Sequence, residues 1–283
     1  MKQTDIKKVI NAALKEDKAR NDITSNTLIS PSHKSTACII AKQDAIICGI
    51  KIAREAFIAL DKSAKVKSLV KDGDQVKKGD VLLSIKGNTR ALLASERIAL
   101  NFLGYLSGIA TNTNDYVQAI KPLKTKILDT RKTTPTLRVF EKYAVACGGG
   151  TNHRQDLSTM VFIKDNHREI YENNITLCDA VKKFRQKTRK LIEVEVDTLS
   201  EFEDVLEGNP DYILLDNMTL GQMSKAVQTV KKIKAKRKPQ LEASGGITLK
   251  RVKAIAKTGV DRISIGALTH THKSVNVSME ILT

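Results

Sequence analysis

From Lys124 to His270 the sequence repeats one pattern: a short apolar run, a polar or glycine-rich loop, then in most cases a helical stretch. The runs are "TKILDTRKT", "ACGGGTNHR", "MVFIKDNH", "LIEVEVD", "DYILLDN", "QLEASGGI" and "DRISIGALTH". Strands alternating with helices predict a parallel sheet with crossover helices. An open doubly wound sheet would carry a nucleotide fingerprint at its first strand, and none is present. A barrel fits better and places the working residues at the strand C-termini. The seven runs occupy about 145 residues, against roughly 200 or more for a complete eightfold barrel. The expectation is therefore a seven-stranded, incomplete α/β barrel.

The first hundred residues read differently. "DIKKVINAALKED" has helical spacing, "STACIIAKQDAIICGIKIAREAFIAL" reads as strand, turn and helix, and "AKVKSLVKDGDQVKKGDVLLSIKG" gives short strands with turns at Asp72-Gly73 and Lys78-Gly79-Asp80. Lipoyl- and biotin-carrier hairpins look similar, but no modifiable lysine motif follows, so this is a plain strand pair. Ser95–Ile120 is a long helical stretch, or two helices meeting near Gly108, with Gly104, Ser107, Gly108 and Ala110 small enough for close packing. The division expected is an α/β domain over 1–110, with 273–283 packing back on it, and a barrel over 111–272.

A net charge of +17 in 283 residues raises the question of a polyanionic partner. Most of the excess is lysine on helix-like stretches such as "VKKIKAKRK", Val230 to Lys238, which reads as a solvated face. A nucleic-acid surface would string cations along an exposed face, often with stacking aromatics. Here the chain has no Trp and 4% aromatics, and the informative cations converge at strand ends, so no nucleic-acid partner is expected. No apolar run approaches the ~20 residues that span a bilayer, and the first residues lack the unbroken apolar core of a signal peptide. The expected location is cytoplasmic, with no membrane partner. Cys38, Cys48, Cys147 and Cys178 form no C-x-x-C pair and read as buried thiols.

Charged residues gather at one end of the strand-like runs. Glu193 and Glu195 stand two apart in "LIEVEVD" and share a face, while Ile192, Val194 and Val196 take the other. Two inward carboxylates are costly unless paired or bound to a cation. The same end carries Arg131, Lys132, His153, Arg154, Lys164, Asp216 and Ser244. Such cations suit a ligand rich in carboxylates or phosphates, and the carboxylates suit Mg²⁺ or ribose hydroxyls. "ASGGI" and "SIGA" close the last two strands, where barrels commonly seat a phosphate, and Gly245, Gly246 and Gly266 would expose backbone N–H groups there. In "CGGGTNHR" the glycines read either as a cradle for a phosphate or as a tight turn that delivers His153 and Arg154 to another anion. His270 and His272 in "THTH" lack further metal-type ligands and read as structural, with His270 a loop hydrogen-bonder.

"LDTRKTTPTLRVFEKYAVACGGGTNHR", followed by "MVFIKDNH", "IEVEVDTL", "ILLDN", "EASGGI" and "ISIGALTH", resembles the quinolinate phosphoribosyltransferase family. "EDKARNDITS", "DGDQVKKGDVLLSIKG" and "SERIALNFLGYLSGIAT" extend the resemblance over nearly the whole chain. It implies a type II phosphoribosyltransferase-like fold, an amino-terminal α/β sandwich plus a seven-stranded α/β barrel. It further implies transfer of phosphoribosyl from phosphoribosyl pyrophosphate to quinolinate with Mg²⁺, giving nicotinate mononucleotide, pyrophosphate and CO₂. By motif, Arg131, His153, Arg154 and Lys164 would bind the quinolinate carboxylates, joined by Arg97 from the neighbouring subunit of a homodimer, itself able to assemble as three dimers. Lys132, Glu193 and Asp216 would carry the catalysis. With Thr130 they would handle phosphoribosyl pyrophosphate, Glu193 and Asp216 facing its metal directly or through the metal-bound substrate. Ser244, Gly245 and Gly246 with Ile265, Gly266 and Ala267 would hold its phosphates. The chain departs from the family pattern at Thr136, Ala146, Thr151 and Arg168. The nearest rival is a paralogous phosphoribosyltransferase associated with molybdenum transport; the intact "TRKTTP", "NHR" and "IKDN" favour quinolinate.

Overall fold

The computed structural model describes residues 1–170, 176–234 and 237–282. Its elements, in chain order, are α1 (Gln3–Glu16), α2 (Ile23–Leu28), β1 (Lys34–Ala41), β2 (Ala45–Ile46), α3 (Ile50–Leu60), β3 (Lys65–Ser68), β4 (Gln75–Val76), β5 (Val81–Asn88) and α4 (Thr89–Ala119). There follow β6 (Lys126–Leu128), α5 (Arg138–Cys147), β7 (Val161–Ile163), α6 (Asp165–Ile170), α7 (Leu177–Lys187), β8 (Ile192–Val196) and α8 (Leu199–Glu207). The chain ends with β9 (Tyr212–Asp216), α9 (Leu220–Lys232), β10 (Gln240–Ser244), α10 (Leu249–Lys257), β11 (Arg262–Ser264), α11 (Ala267–His270) and β12 (Val277–Leu282). Of the stretch Val230–Lys238, α9 takes the first residues, and Ala235 and Lys236 lie outside the described residues.

Two compact units result: residues 1–114, 135–149 and 271–283, and residues 115–134 and 150–270. The expected division at residue 110 differs from this chiefly in the segment 135–149. That segment contains α5, which falls with the first unit although barrel residues flank it on both sides in sequence.

The first unit holds an antiparallel sheet in the order β12-β1-β5-β3. Alternation in β1 and β5 buries Ala37, Ile39, Leu83 and Ile85, and α1 lays Ile6, Ile10 and Leu14 towards α3. Each large apolar side chain buried this way contributes about 1.5–3 kcal/mol. The turns at Gly73 and Gly79 take φ of 95° and 98°, where a side chain would be strained. α4 runs unbroken through Gly108. A Cβ at Gly108 would lie 2.3 Å from the Lys273 carbonyl oxygen, and one at Gly104 would lie 2.6 Å from that of Val275. These glycines thus serve close packing of the C-terminal segment and do not break the helix.

The second unit is a parallel sheet in the order β6-β11-β10-β9-β8-β7. From β7 to β11 every sheet neighbour is the next strand in the chain, and β11 then pairs with β6, the first. That circular order is barrel winding, without the reversal of a doubly wound sheet. Six strands are present among the described residues rather than the seven expected. "ACGGGTNHR" is the end of α5, a turn through Gly149 (φ 88°), and a single parallel bridge from Thr151 to Leu128. Thr151 therefore stands where a further strand would, on the outer side of β6, and no strand pairing joins it to β7 among the described residues. α8 and α9 each start on a reciprocal cap, Thr198 with Glu201 and Thr219 with Gln222, which ends the preceding loop sharply.

Candidate active site

Barrel strands alternate, so one face of each points inward. Glu193 and Glu195 of β8, Glu242 and Ser244 of β10, and Arg262 and Ser264 of β11 are mostly or fully buried there. The backbone N–H of His153, in the loop after Thr151, donates to Asp129 Oδ1 at 2.8 Å, which draws its ring over the strands. His153 Nε2 lies 2.9 Å from Glu193 and 3.4 Å from Glu242, and Glu242 in turn meets Arg262 Nε at 2.9 Å. Arg262 stacks 4.0 Å above the Tyr212 ring.

This cluster is charge-balanced only if it retains a proton. Burial opposes a charged His153, yet the two carboxylates outweigh it and push its pKa up to about 9. Against this, the Arg154 N–H donates to His153 Nδ1 at 2.7 Å, which favours the neutral ring. Glu193 is the other seat for the proton, since burial and the charge of Glu242 push its carboxyl up. In either arrangement Arg262 balances Glu242, and one proton balances Glu193.

Above the cluster opens a cavity of about 810 Å³. Arg154 and Lys164 each sit 4.7 Å from the centroid of Phe162, and the His153 ring lies along the same phenyl group at 5.8 Å. Burial and the nearby Arg131 lower the pKa of Arg154, and Arg131 Nε is buried with no hydrogen-bond partner among the described residues. The opposite charge is crowded too. Burial and Asp216 raise the Glu195 carboxyl, while Lys164, 3.4 Å away, opposes them. The cavity wall thus presents two guanidinium groups that repel and two carboxylates that repel. Each pair is relieved by a ligand group of opposite sign.

Backbone loops complete the rim. Gly245 and Gly246 take φ of 93° and 55°, and a Cβ on Gly245 would fall 2.1 Å from Asn217 Oδ1. A Cβ on Gly266 would meet His270 Nε2 at 3.0 Å and Lys132 Cδ at 3.1 Å. Lys132 is seated by its own backbone: its N–H donates to Thr130 Oγ1 at 3.0 Å, and its carbonyl accepts from Thr269 Oγ1 at 2.6 Å.

Of the residues singled out from sequence, Thr130, Arg131, Lys132, His153, Arg154 and Lys164 line this cavity. So do Asp216, Ser244, Gly245 and Gly246, and Ile265, Gly266 and Ala267. Glu193 does not. It is fully buried against His153, and the β8 carboxylate in the cavity wall is Glu195, two residues further along the same face. Arg97 lies on α4 in the first unit and is not among the lining residues. Glu242 and Arg262 stand inside the runs "QLEASGGI" and "DRISIGALTH" but were not singled out, although an inward Glu two residues before Ser244 follows from strand alternation. His270 lines the cavity, while His272 packs edge-on against Tyr105 at 4.8 Å in the first unit, so "THTH" makes no shared site.

An α/β barrel with cations, carboxylates and late glycine loops around one open end is an enzyme of the kind that handles anionic, phosphorylated substrates. The comparisons with known proteins narrow that class. The family described as quinolinate phosphoribosyl transferase, C-terminal domain, matches residues 109–280, and its N-terminal domain matches 22–107. A Bacillus subtilis protein named "probable nicotinate-nucleotide pyrophosphorylase (carboxylating)" is 39% identical over 99% of this chain and 95% of its own. A Nicotiana tabacum quinolinate phosphoribosyltransferase (decarboxylating) is 38% identical over 98% of this chain and 82% of its own. The solved nicotinate-nucleotide pyrophosphorylase of Francisella tularensis superposes with a TM-score of 0.92 at 37% identity, covering 100% of this chain and 98% of that one. The chain belongs to the quinolinate phosphoribosyltransferase family.

Proposed function

We propose that the chain transfers the phosphoribosyl group of phosphoribosyl pyrophosphate to quinolinate with decarboxylation. The products are nicotinate mononucleotide, pyrophosphate and CO₂, a step of de novo NAD biosynthesis. The observation that carries the reading is the pair of crowded charges in one cavity, Arg131 beside Arg154 and Glu195 beside Asp216. Quinolinate is a dicarboxylate on a flat ring: Arg131, Arg154 and Lys164 meet its carboxylates, and Phe162 offers a face for the ring. His153, turned inward to Glu193 and Glu242, holds the Arg154 backbone in place.

The two carboxylates at the cavity fit a divalent cation that prefers oxygen ligands. Glu195 and Asp216 would hold Mg²⁺, which would supply positive charge opposite the pyrophosphate. The His153, Glu193 and Glu242 set also lies within 4.8 Å, but Arg262 and the retained proton already neutralise it. Lys132 adds charge on the pyrophosphate side, and the Ser244–Gly246 and Ile265–Ala267 loops offer backbone N–H groups to the phosphates. As the ribosyl–pyrophosphate bond breaks, positive charge develops on the ribose carbon, and Asp216 and Glu195 stabilise it electrostatically. Ribosylation makes the ring nitrogen cationic, and this stabilises the electron pair left when CO₂ departs. Arg97 completes the acceptor site from the partner subunit of a homodimer, and the enzyme works in the cytoplasm.

The test mixes purified protein with quinolinate, phosphoribosyl pyrophosphate and Mg²⁺ and measures CO₂ and nicotinate mononucleotide together. Equal amounts of both, with no product from nicotinate, are expected. A folded protein that binds phosphoribosyl pyrophosphate yet forms neither product would reject the acceptor. Arg154→Ala is expected to weaken quinolinate binding about 100-fold, consistent with loss of a charge-assisted contact, and to leave phosphoribosyl pyrophosphate binding nearly unchanged. The reverse pattern would overturn the assignment of Arg154.

A further inference from the structure

Lys164 enters the cavity from the junction between β7 and α6, and that junction has little core to rest on. None of the six residues of α6 is buried, and an isolated helix of this length is not stable by itself. Its first turn is built on Lys164. The Lys164 carbonyl accepts from the N–H groups of His167 and Arg168 at 3.0 and 3.1 Å, and its own N–H donates to His167 Nδ1 at 3.0 Å. Both backbone groups of Lys164 are thus bonded to this turn, so a shift of α6 carries Lys164 with it.

Arg168 supplies an anchor. Its guanidinium leaves α6 for two carboxylates between the end of β8 and the start of α8. Nη2 donates to Asp197 Oδ2 at 2.6 Å, and Nη1 lies 2.7 Å from Glu201 Oε1. Glu201 is itself fixed, since its Oε2 accepts from the N–H groups of Asp197 and Thr198 at 2.8 and 3.3 Å. A second ion pair joins the same two segments, with Lys164 Nζ 3.4 Å from Glu195. Lys164 and Arg168 are four apart, about one helical turn, and Glu195 and Asp197 are two apart along β8 and its continuation. The pairs are two rungs between the same uprights. Lys164 and Glu195 line the cavity, and Arg168 does not.

We propose that Arg168 is a positioning residue for the acceptor site: by clamping α6 to the end of β8 it holds Lys164 over Phe162, where the ammonium meets a ligand carboxylate. The identity of that ligand rests on the proposed reaction, and the clamp rests on the geometry alone. Arg168 acts on one side of the cavity only. The phosphate side is formed by the loops after β6, β10 and β11, which the clamp does not touch. Loss of Arg168 therefore separates the two substrates, lowering affinity for quinolinate and sparing phosphoribosyl pyrophosphate. The chain departs from the family pattern at this position, so the clamp is not a role carried over by motif.

Calorimetric titration of the folded, full-length protein with quinolinate and with phosphoribosyl pyrophosphate reads the effect. Arg168→Ala should weaken quinolinate binding about fivefold, the size of a partly exposed ion pair. Phosphoribosyl pyrophosphate binding should stay within about twofold, as at an independent site. Arg168→Lys, which keeps a charged contact, should fall between Arg168→Ala and wild type, and Asp197→Asn should weaken quinolinate in the same direction. In a Lys164→Ala background, Arg168→Ala should add less than about twofold, because the group it positions is gone. A pulse of acetylating reagent without substrate, read by peptide mapping, should modify Lys164 about threefold faster in Arg168→Ala, with lysines of the first unit unchanged. Unchanged Lys164 labelling, equal weakening of both ligands, or independent effects of Lys164→Ala and Arg168→Ala would overturn the proposal. If no form, wild type included, binds quinolinate while Lys164 labelling still rises, the acceptor reading fails and the clamp stands.

Discussion

The two sheets of this molecule bury opposite things. In the antiparallel sheet, β1 and β5 put Ala37, Ile39, Leu83 and Ile85 into an apolar core, and no charged strand residue is buried there among the described residues. In the parallel sheet, β8, β10 and β11 bury Glu193, Glu242 and Arg262. Replacing a buried ion cluster by apolar groups of similar volume is often neutral or stabilising. The charged interior of the barrel is thus not a device for stability. What it accomplishes is placement: His153 is held from both sides, and with it the backbone of Arg154. One chain uses strand alternation first to make a core and then to aim charges.

That contrast can be broken most forcefully at Glu242. Glu242→Ala leaves Arg262 and His153 without their shared partner in a buried site, and roughly 3–5 kcal/mol of stability should be lost, measured by urea unfolding. A loss under about 1 kcal/mol would mean that water or a shifted side chain replaces the carboxylate. Next in size is a pH effect confined to the barrel. Unfolded, the cluster holds no proton above the ordinary histidine value of about 6.5. Folded, it keeps one until His153 titrates at about 9. The folded state therefore binds more protons in that window. Stability is fully present below about pH 6.5 and declines by about 3 kcal/mol as pH rises through 9. Thermal unfolding between pH 6 and 9.5 checks this, and a flat profile, or one that rises with pH, would contradict the retained proton. The smallest effect belongs to the other sheet: Ile39→Val should cost about 1 kcal/mol, with no dependence on pH over the same range.

The sequence was most legible where a local rule decides. Winding of the barrel followed from the repeated strand, loop and helix, and the inward face of β8 followed from two glutamates at spacing two. Which of those glutamates meets the cavity did not follow, because depth along a barrel is set by register with neighbouring strands. Glu195 stands opposite Leu214 and Glu193 opposite Tyr212, one layer deeper. Arg262 escaped notice for a related reason: its partner Glu242 lies on the adjacent strand, in register but 20 positions away. "ACGGGTNHR" misled because apolar residues before a glycine run suit either a strand or a helix end, and α5 claims them.

Both sheets close by joining an early strand to a late one: β1 pairs with β12, and β6 pairs with β11. On a ribosome β11 and β12 emerge after every other strand. A nascent chain can form hairpins and crossover units as it grows, but neither sheet gains its closing partner until all the strands before β11 have been made. Until then the edges of β1 and β6 stay open to pairing with other chains. A chain that stopped before Arg262 would leave both edges bare at once, so such a truncation should yield aggregation, not a smaller working enzyme.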